Sequence, residues 1–168
     1  MDGGKEHAVR IIFLDARPDP GDVKQKAAAV NAGPHDILIV EGGVWCFARG
    51  EAFRHPEHND RVEKMKPRFQ EAMLIVHAGD SVAWSCDRPL AVYLTPVEPP
   101  DRPAGPRAPG WYPEPQPFTD PTPFLGRGPA EPARSGVVKK SAKNTQYKVG
   151  IYVDGHMYDP DIFCGNGF

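Results

Sequence analysis

The chain has 168 residues, 40% of them hydrophobic and 25% charged, with a formal net charge of −2. That length fits one domain, and so small a charge supplies no long-range field to favour nucleic acid or an anionic membrane. No run approaches the roughly 20 apolar residues a membrane helix needs, and the polar start shows no signal-peptide pattern, so a cytoplasmic protein is expected.

Two residue types stand out. Proline occurs 20 times, more than twice the average usage of about 5%. The three cysteines, Cys46, Cys86 and Cys164, are widely spaced and odd in number. Small disulfide-built domains carry more, in even number, so these read as buried or incidental thiols.

Val9 to Leu14 reads as a short apolar strand. Asp15 to Asp22, with Pro18, Pro20 and Gly21, reads as a loop. Val23 to Asn31 is Ala-rich and carries Lys24, Gln25 and Lys26; it suits one to two turns of helix, closed by Asn31 and Gly33 before Pro34. Asp36 to Val40 is a second apolar strand, ended by Gly42-Gly43, and Val44 to Phe47 a further short one. Glu51 to Gln70 is the most charged part of the chain. Val62, Met65 and Phe69 are spaced for a short amphipathic helix, which Pro67 limits to a turn or two. The plainer alternative is a solvated connection with a few apolar anchors.

Met73 to Thr95 organises the rest. The apolar run Met73 to Val76 stops at Ala78-Gly79-Asp80. Val82, Trp84 and Cys86 then alternate with Ser81, Ala83 and Ser85, and after Asp87-Arg88-Pro89 the alternation resumes at Leu90, Val92 and Leu94. A period of two between turn residues marks half-buried strands.

Pro96 to Pro132 holds thirteen of the twenty prolines. Each removes a donor and fixes φ, so neither helix nor ladder strand is expected there. Yet Trp111, Tyr112, Phe118, Phe124 and Leu125 lie inside this stretch, and a flexible linker lacks such residues. Either the segment pins its aromatics to its own domain or it offers them to a partner. Strand character returns at Val137-Val138. Tyr147, Val149, Ile151 and Val153 alternate cleanly with Lys148, Gly150, Tyr152 and Asp154, and Asp154-Gly155 is a hairpin signal. The return strand is expected at Asp161 to Cys164.

Gly79-Asp80-Ser81-Val82-Ala83-Trp84, a variable excursion, then Tyr147-Lys148-Val149-Gly150-Ile151-Tyr152 is an order that resembles the cupredoxin-like sandwich. The resemblance implies an all-β, antiparallel sandwich, cupredoxin- or immunoglobulin-like, with short helical pieces. The sandwich is expected to span residues 1–168 as a single domain, with 96–134 as a Pro-rich insertion. Copper-binding members place a His shortly after the Trp-bearing strand and cluster Cys, His and Met on the last loop. Here no His follows Trp84 until His156, and His156-Met157 precede Cys164, which has only Gly165-Asn166-Gly167-Phe168 behind it. The resemblance therefore extends to fold and not to the copper ligands.

Other chemistry is sparse. His55-Pro-Glu-His58 with Asp60, or Cys46 with Cys86 and His77, would be the residues of a metal or redox site. Pro56 opposes a helix through the first group, and the second lacks a spacing motif. Asp154, Asp159 and Asp161 lack the spacing of an EF-hand loop and read as turn formers. Lys139, Lys140, Lys143 and Lys148 flank Tyr147 and Tyr152, a combination single-stranded nucleic acid can use; guarding strand edges is the plainer role. No phosphate-binding Gly-rich loop or nucleophile elbow is present. The expectation is a non-catalytic binding or assembly module with no cofactor. Its partner is another protein or a second copy, met through an open strand edge or through Trp111, Tyr112, Phe118 and Phe124. The alternative class is a metal- or redox-dependent protein using Cys46, Cys86 and His77, or His55 and His58.

Overall fold

A computed structural model describes residues 4–54, 74–97, 116–142, 145–158 and 161–164, with backbone alone at 97, 145, 146 and 161–164. The described elements, in chain order, are β1 (Glu6–Phe13), α1 (Pro20–Ala29), β2 (Ile37–Val40), β3 (Gly43–Ala48), β4 (Glu51–Arg54), β5 (Leu74–Val76) and β6 (Ser81–Ser85). They continue with β7 (Leu90–Val97), β8 (Phe124–Gly126), β9 (Ala133–Val137), β10 (Thr145–Val153), β11 (His156–Tyr158) and β12 (Asp161–Cys164). The strands form two sheets. Sheet 1 runs β4-β3-β2-β1-β6-β9; sheet 2 runs β5-β12-β10-β7-β8, with β11 also beside β10. The molecule is thus mostly β, as the sequence pattern implies.

Its strands are not all antiparallel, which corrects one expectation. β1 pairs in parallel with β2 and with β6, and β12 pairs in parallel with β5. Parallel neighbours need a crossover connection, because a tight hairpin can only reverse the chain. The first crossover is α1. It starts three residues before the expected point, inside what reads as a loop, for a local reason. Asp19, in extended conformation, caps the helix by accepting from Asp22 N, and Pro20 occupies the first turn, where its missing N–H costs nothing.

One cluster of buried side chains joins the two sheets. Val9, Ile11, Ile37, Ile39, Val82 and Trp84 of sheet 1 belong to it together with Val76, Val92, Tyr147, Val149, Ile151 and Val153 of sheet 2. The opposite face of sheet 1 is covered by α1, where Val23 and Ala27 pack with Leu38, Val40 and Trp45. β2 lies between these layers and is buried on both faces, which explains its unbroken Ile-Leu-Ile-Val sequence.

The Gly79-Asp80 turn ties three segments together. The Asp80 carboxylate accepts from Lys5 N at 2.9 Å and His77 N at 3.0 Å, and its Oδ2 lies 2.9 Å from His7 Nε2. Its carbonyl accepts from Val138 N at 2.7 Å. Burial pushes the Asp80 carboxyl up, but the hydrogen bonds from His7, Lys5 and His77 outweigh it and hold the group below its ordinary value. Gly4 crosses this turn so closely that a Cβ there would sit 2.0 Å from the Gly79 carbonyl oxygen. A second brace closes the β1–α1–β2 unit. Asp36 accepts from Arg10 N, Nε and Nη2 and from Gly33 N, while Arg10 donates to the Val30 and Asn31 carbonyls just past α1.

Three two-residue hairpins have both central residues at positive φ: Glu41-Gly42, Arg49-Gly50 and Asp154-Gly155. That is the type I′ geometry that matches strand twist. The first lies one residue earlier than the Gly42-Gly43 reading. After Asp154-Gly155 the chain returns at once as β11. Val153 faces His156 and Thr145 faces Cys164, the register one unshifted hairpin gives, so β11 and the expected β12 lie along the same edge of β10.

The Pro-rich stretch also needs correction. β7 continues through Pro96, which faces Tyr147 of β10, and β8 lies wholly inside the stretch. β8 itself contains no proline. It pairs only with Leu90, Ala91 and Val92 of β7, so Pro96 has no described neighbour on that side to lose a ladder bond. No helix among the described residues is long and apolar enough to cross a membrane.

Candidate functional site

Of the four aromatic residues expected to meet a partner, Phe118 and Phe124 do not. They are 1% and 3% exposed and belong to the core shared by the sheets. Trp84 stacks on Phe124, with centroids 5.8 Å apart and planes at 9°, and Phe118 meets both rings edge-on. The bridge of Phe118 to Val138 and the pairing of Phe124 with Val92 carry both side chains inward. This corrects the reading of these two as partner anchors: their apolar area is already spent on the chain's own fold. Trp111 and Tyr112 lie outside the described residues, as do His55, His58, Asp60, the Val62–Met65–Phe69 stretch, Lys143 and Asp159.

Cys46 and Cys86 do not converge. Both are buried, but β3 and β6 are separated by β2 and β1 in sheet 1. Three strand spacings amount to about 14 Å, far beyond the reach of a shared metal ion. His77 lies after β5 in sheet 2, with its side chain exposed. Burial pushes the Cys86 thiol above its ordinary value; the Arg88 backbone N–H lowers it, but the Asp87 carboxylate raises it further. A thiol held protonated is a poor nucleophile and a poor ligand. Among the described residues no three His, Cys, Asp or Glu side chains are grouped to hold a metal ion.

Arg88 forms a surface clasp nearby. Its guanidinium bonds Asp87 at 2.7 Å and Asp154 at 2.8 Å and lies 3.9 Å over the Phe13 ring. The Arg88 hydrogen bonds are the main influence holding Asp87 below its ordinary value, and the two carboxylates push Arg88 up. The clasp ties the β6–β7 turn to the β10–β11 hairpin, a structural role.

The feature invisible to a reading of the sequence lies on the outer face of sheet 2. Side chains on a strand alternate between faces. In β10 the buried residues are Tyr147, Val149, Ile151 and Val153, which leaves Lys148, Gly150 and Tyr152 facing outward. Tyr152 faces Met157 of β11 on one side and Ala91 of β7 on the other, and Ala91 faces Leu125 of β8. Met157, Tyr152, Ala91 and Leu125 thus form one row across four strands. Leu125 is 68% exposed, Met157 51%, Tyr152 47% and Tyr93, one row away, 40%. Gly150 lies between them. A Cβ there would meet Met157 Sδ at 3.0 Å and Tyr93 Cβ at 3.7 Å, so the Met157 side chain leans over the glycine toward Tyr93. Single exposed apolar residues are ordinary, whereas a contiguous group is characteristic of an interaction surface. Lys148 lies on the same outer face, on a strand flanked by β12 and β7. It therefore does not guard a sheet edge, contrary to expectation.

The chain matches no family model, no curated protein and no solved structure.

Proposed function

We propose that this chain is a non-catalytic cytoplasmic binding or assembly module, built on a cupredoxin- or immunoglobulin-like sandwich that lacks the copper-ligand pattern. Its working surface is the outer face of sheet 2, centred on the Met157–Tyr152–Ala91–Leu125 row with Tyr93 beside it. The row is the observation that carries the reading. Tyr and Met are enriched in protein interfaces: Tyr buries large area at small rotamer cost, and the flexible Met adapts to a facing surface. β8, at the edge of sheet 2, has three residues and brings the most exposed side chain, Leu125, to the margin of the row. A partner there gains both an apolar face and a strand edge that, among the described residues, has no further strand paired to it. Trp111 and Tyr112 remain proposed anchors from the Pro-rich segment that joins β7 to this margin.

The test is affinity capture from the native host with the whole chain and with the Leu125→Lys/Tyr152→Lys variant. Both positions are exposed, so the variant should keep the melting temperature of the parent. Loss of specific partners, or of self-association, from the variant supports the reading. Unchanged capture by a folded variant removes this face as the contact surface.

A further inference from the structure

We propose that the cleft between the start of α1 and strands β3 and β4 binds a small organic anion, an aromatic carboxylate. The cleft lies on the helix-covered side of sheet 1, away from sheet 2, and the inference is independent of the docking face. Its volume of about 640 Å³ falls in the 300–1,000 Å³ range of small-molecule sites. Pro18, Pro20, Ala52 and Trp45 supply apolar walls, and Lys24 and Arg54 supply cations; Phe53, also in the lining, turns its side chain to the other face of β4, where it packs with Cys46 and Ala48.

Two observations point to the ligand's chemistry. Among the described residues the buried indole N–H of Trp45 has no acceptor, and Trp45 as a whole is only 2% exposed. Buried donors are almost always satisfied, and an unmet one costs about 1–3 kcal/mol. Trp45, a lining residue of the cleft, thus carries an unused donor. Charge is the second observation. The Arg54 guanidinium lies over the Trp45 ring, 5.9 Å from its centroid. Among the described residues neither Arg54 nor Lys24 forms an ion pair. Glu51 is the one carboxylate in the lining, so the lining holds two cations against one anion. The helix terminus itself is not the anion site, because Asp19 already caps it. A planar carboxylate can meet the guanidinium with two parallel hydrogen bonds, and its ring then rests against Pro18, Pro20 and Trp45. The lining thus selects a negative head and a flat apolar body together.

The experiment is a titration of the full-length ¹⁵N-labelled chain with 1-naphthoate and, separately, with the neutral 1-naphthamide. It follows the indole N–H resonances of the three tryptophans, with Trp45→Phe identifying the Trp45 signal. The Trp45 resonance should shift saturably with naphthoate while that of the core residue Trp84 stays fixed. Naphthamide should bind at least tenfold more weakly. Lys24→Met/Arg54→Met, at exposed positions, should lower naphthoate affinity at least tenfold. A Trp45 resonance unmoved at millimolar naphthoate overturns the proposal. So does naphthamide binding as tightly as naphthoate, a comparison made on the unaltered chain that needs no variant to fold.

Discussion

Phe124 and Leu125 are consecutive residues of β8, and the fold assigns them opposite duties. Phe124 is 3% exposed and stacked on Trp84, while Leu125 is 68% exposed. Truncating a buried Phe to Ala loses its transfer free energy and leaves a cavity, together about 3–5 kcal/mol. Its ring contacts add about 0.5–1.5 kcal/mol per aromatic pair within that loss. Phe124→Ala should therefore cost about 4 kcal/mol, a large part of the roughly 5–15 kcal/mol that holds a domain folded. Phe118→Ala, which removes the ring wedged edge-on against both partners, should cost a similar amount. The double variant should fall short of the sum by about 1 kcal/mol, because the Phe118–Phe124 pair is lost only once. Leu125→Ala should stay within about 0.5 kcal/mol of the parent. Urea unfolding followed by tryptophan fluorescence at 25 °C measures all four. A loss below about 1 kcal/mol for Phe124→Ala, or equal losses for Phe124→Ala and Leu125→Ala, would refute the assignment of these rings to the core.

Asp80→Asn should destabilise the chain by about 2 kcal/mol, since a carboxylate accepting several buried bonds becomes an amide that must orient a donor among donors. The Asp80 carboxyl is held below its ordinary value of 3.8 in the fold. Its contribution is therefore complete above that pH and is lost as pH falls through the lower folded value. The stability gap between the parent and the Asp80→Asn variant, read from urea midpoints, should accordingly narrow below pH 3.8; a gap that widens on acidification would contradict the brace. Asp36→Ala should cost about 2 kcal/mol by leaving the Arg10 and Gly33 backbone N–H groups without their acceptor; an unchanged melting temperature would contradict that role. Native Cys86 should resist iodoacetamide at pH 7 and react once urea unfolds the chain, as peptide mass spectrometry can show; rapid native labelling would contradict its buried, protonated state.

Individual strands are legible in the sequence, but their partners are not. Tyr147 to Val153 alternates without a fault, and Asp154-Gly155 supplies φ values of 51° and 80° for the turn that follows, so both can be read locally. α1 begins earlier than expected because Asp19-Pro20 reads as loop punctuation, whereas a capping carboxylate followed by proline is also a helix-start signal. Parallel pairing of β1 with β2 and β6 leaves no trace in a period of two. Phe118 and Phe124 escape the sequence because proline density suggests an exposed strap; Phe124-Leu125-Gly126, buried-exposed-buried, is too short for its alternation to register. The outer-face row cannot be read from the sequence at all. Ala91, Leu125, Tyr152 and Met157 come from four strands, and only the register brings them side by side.

The measurement that bears most directly on a contact surface at sheet 2 is site-specific photocrosslinking in the native host. A photoreactive phenylalanine is placed in turn at Tyr152, Leu125 and, as an exposed control beyond β9, Lys140. Adducts of defined mass at 152 and 125 but not at 140 are expected, and peptide identification of the adduct tells a second copy from another protein. Adducts no more abundant at 152 and 125 than at 140 would contradict the account.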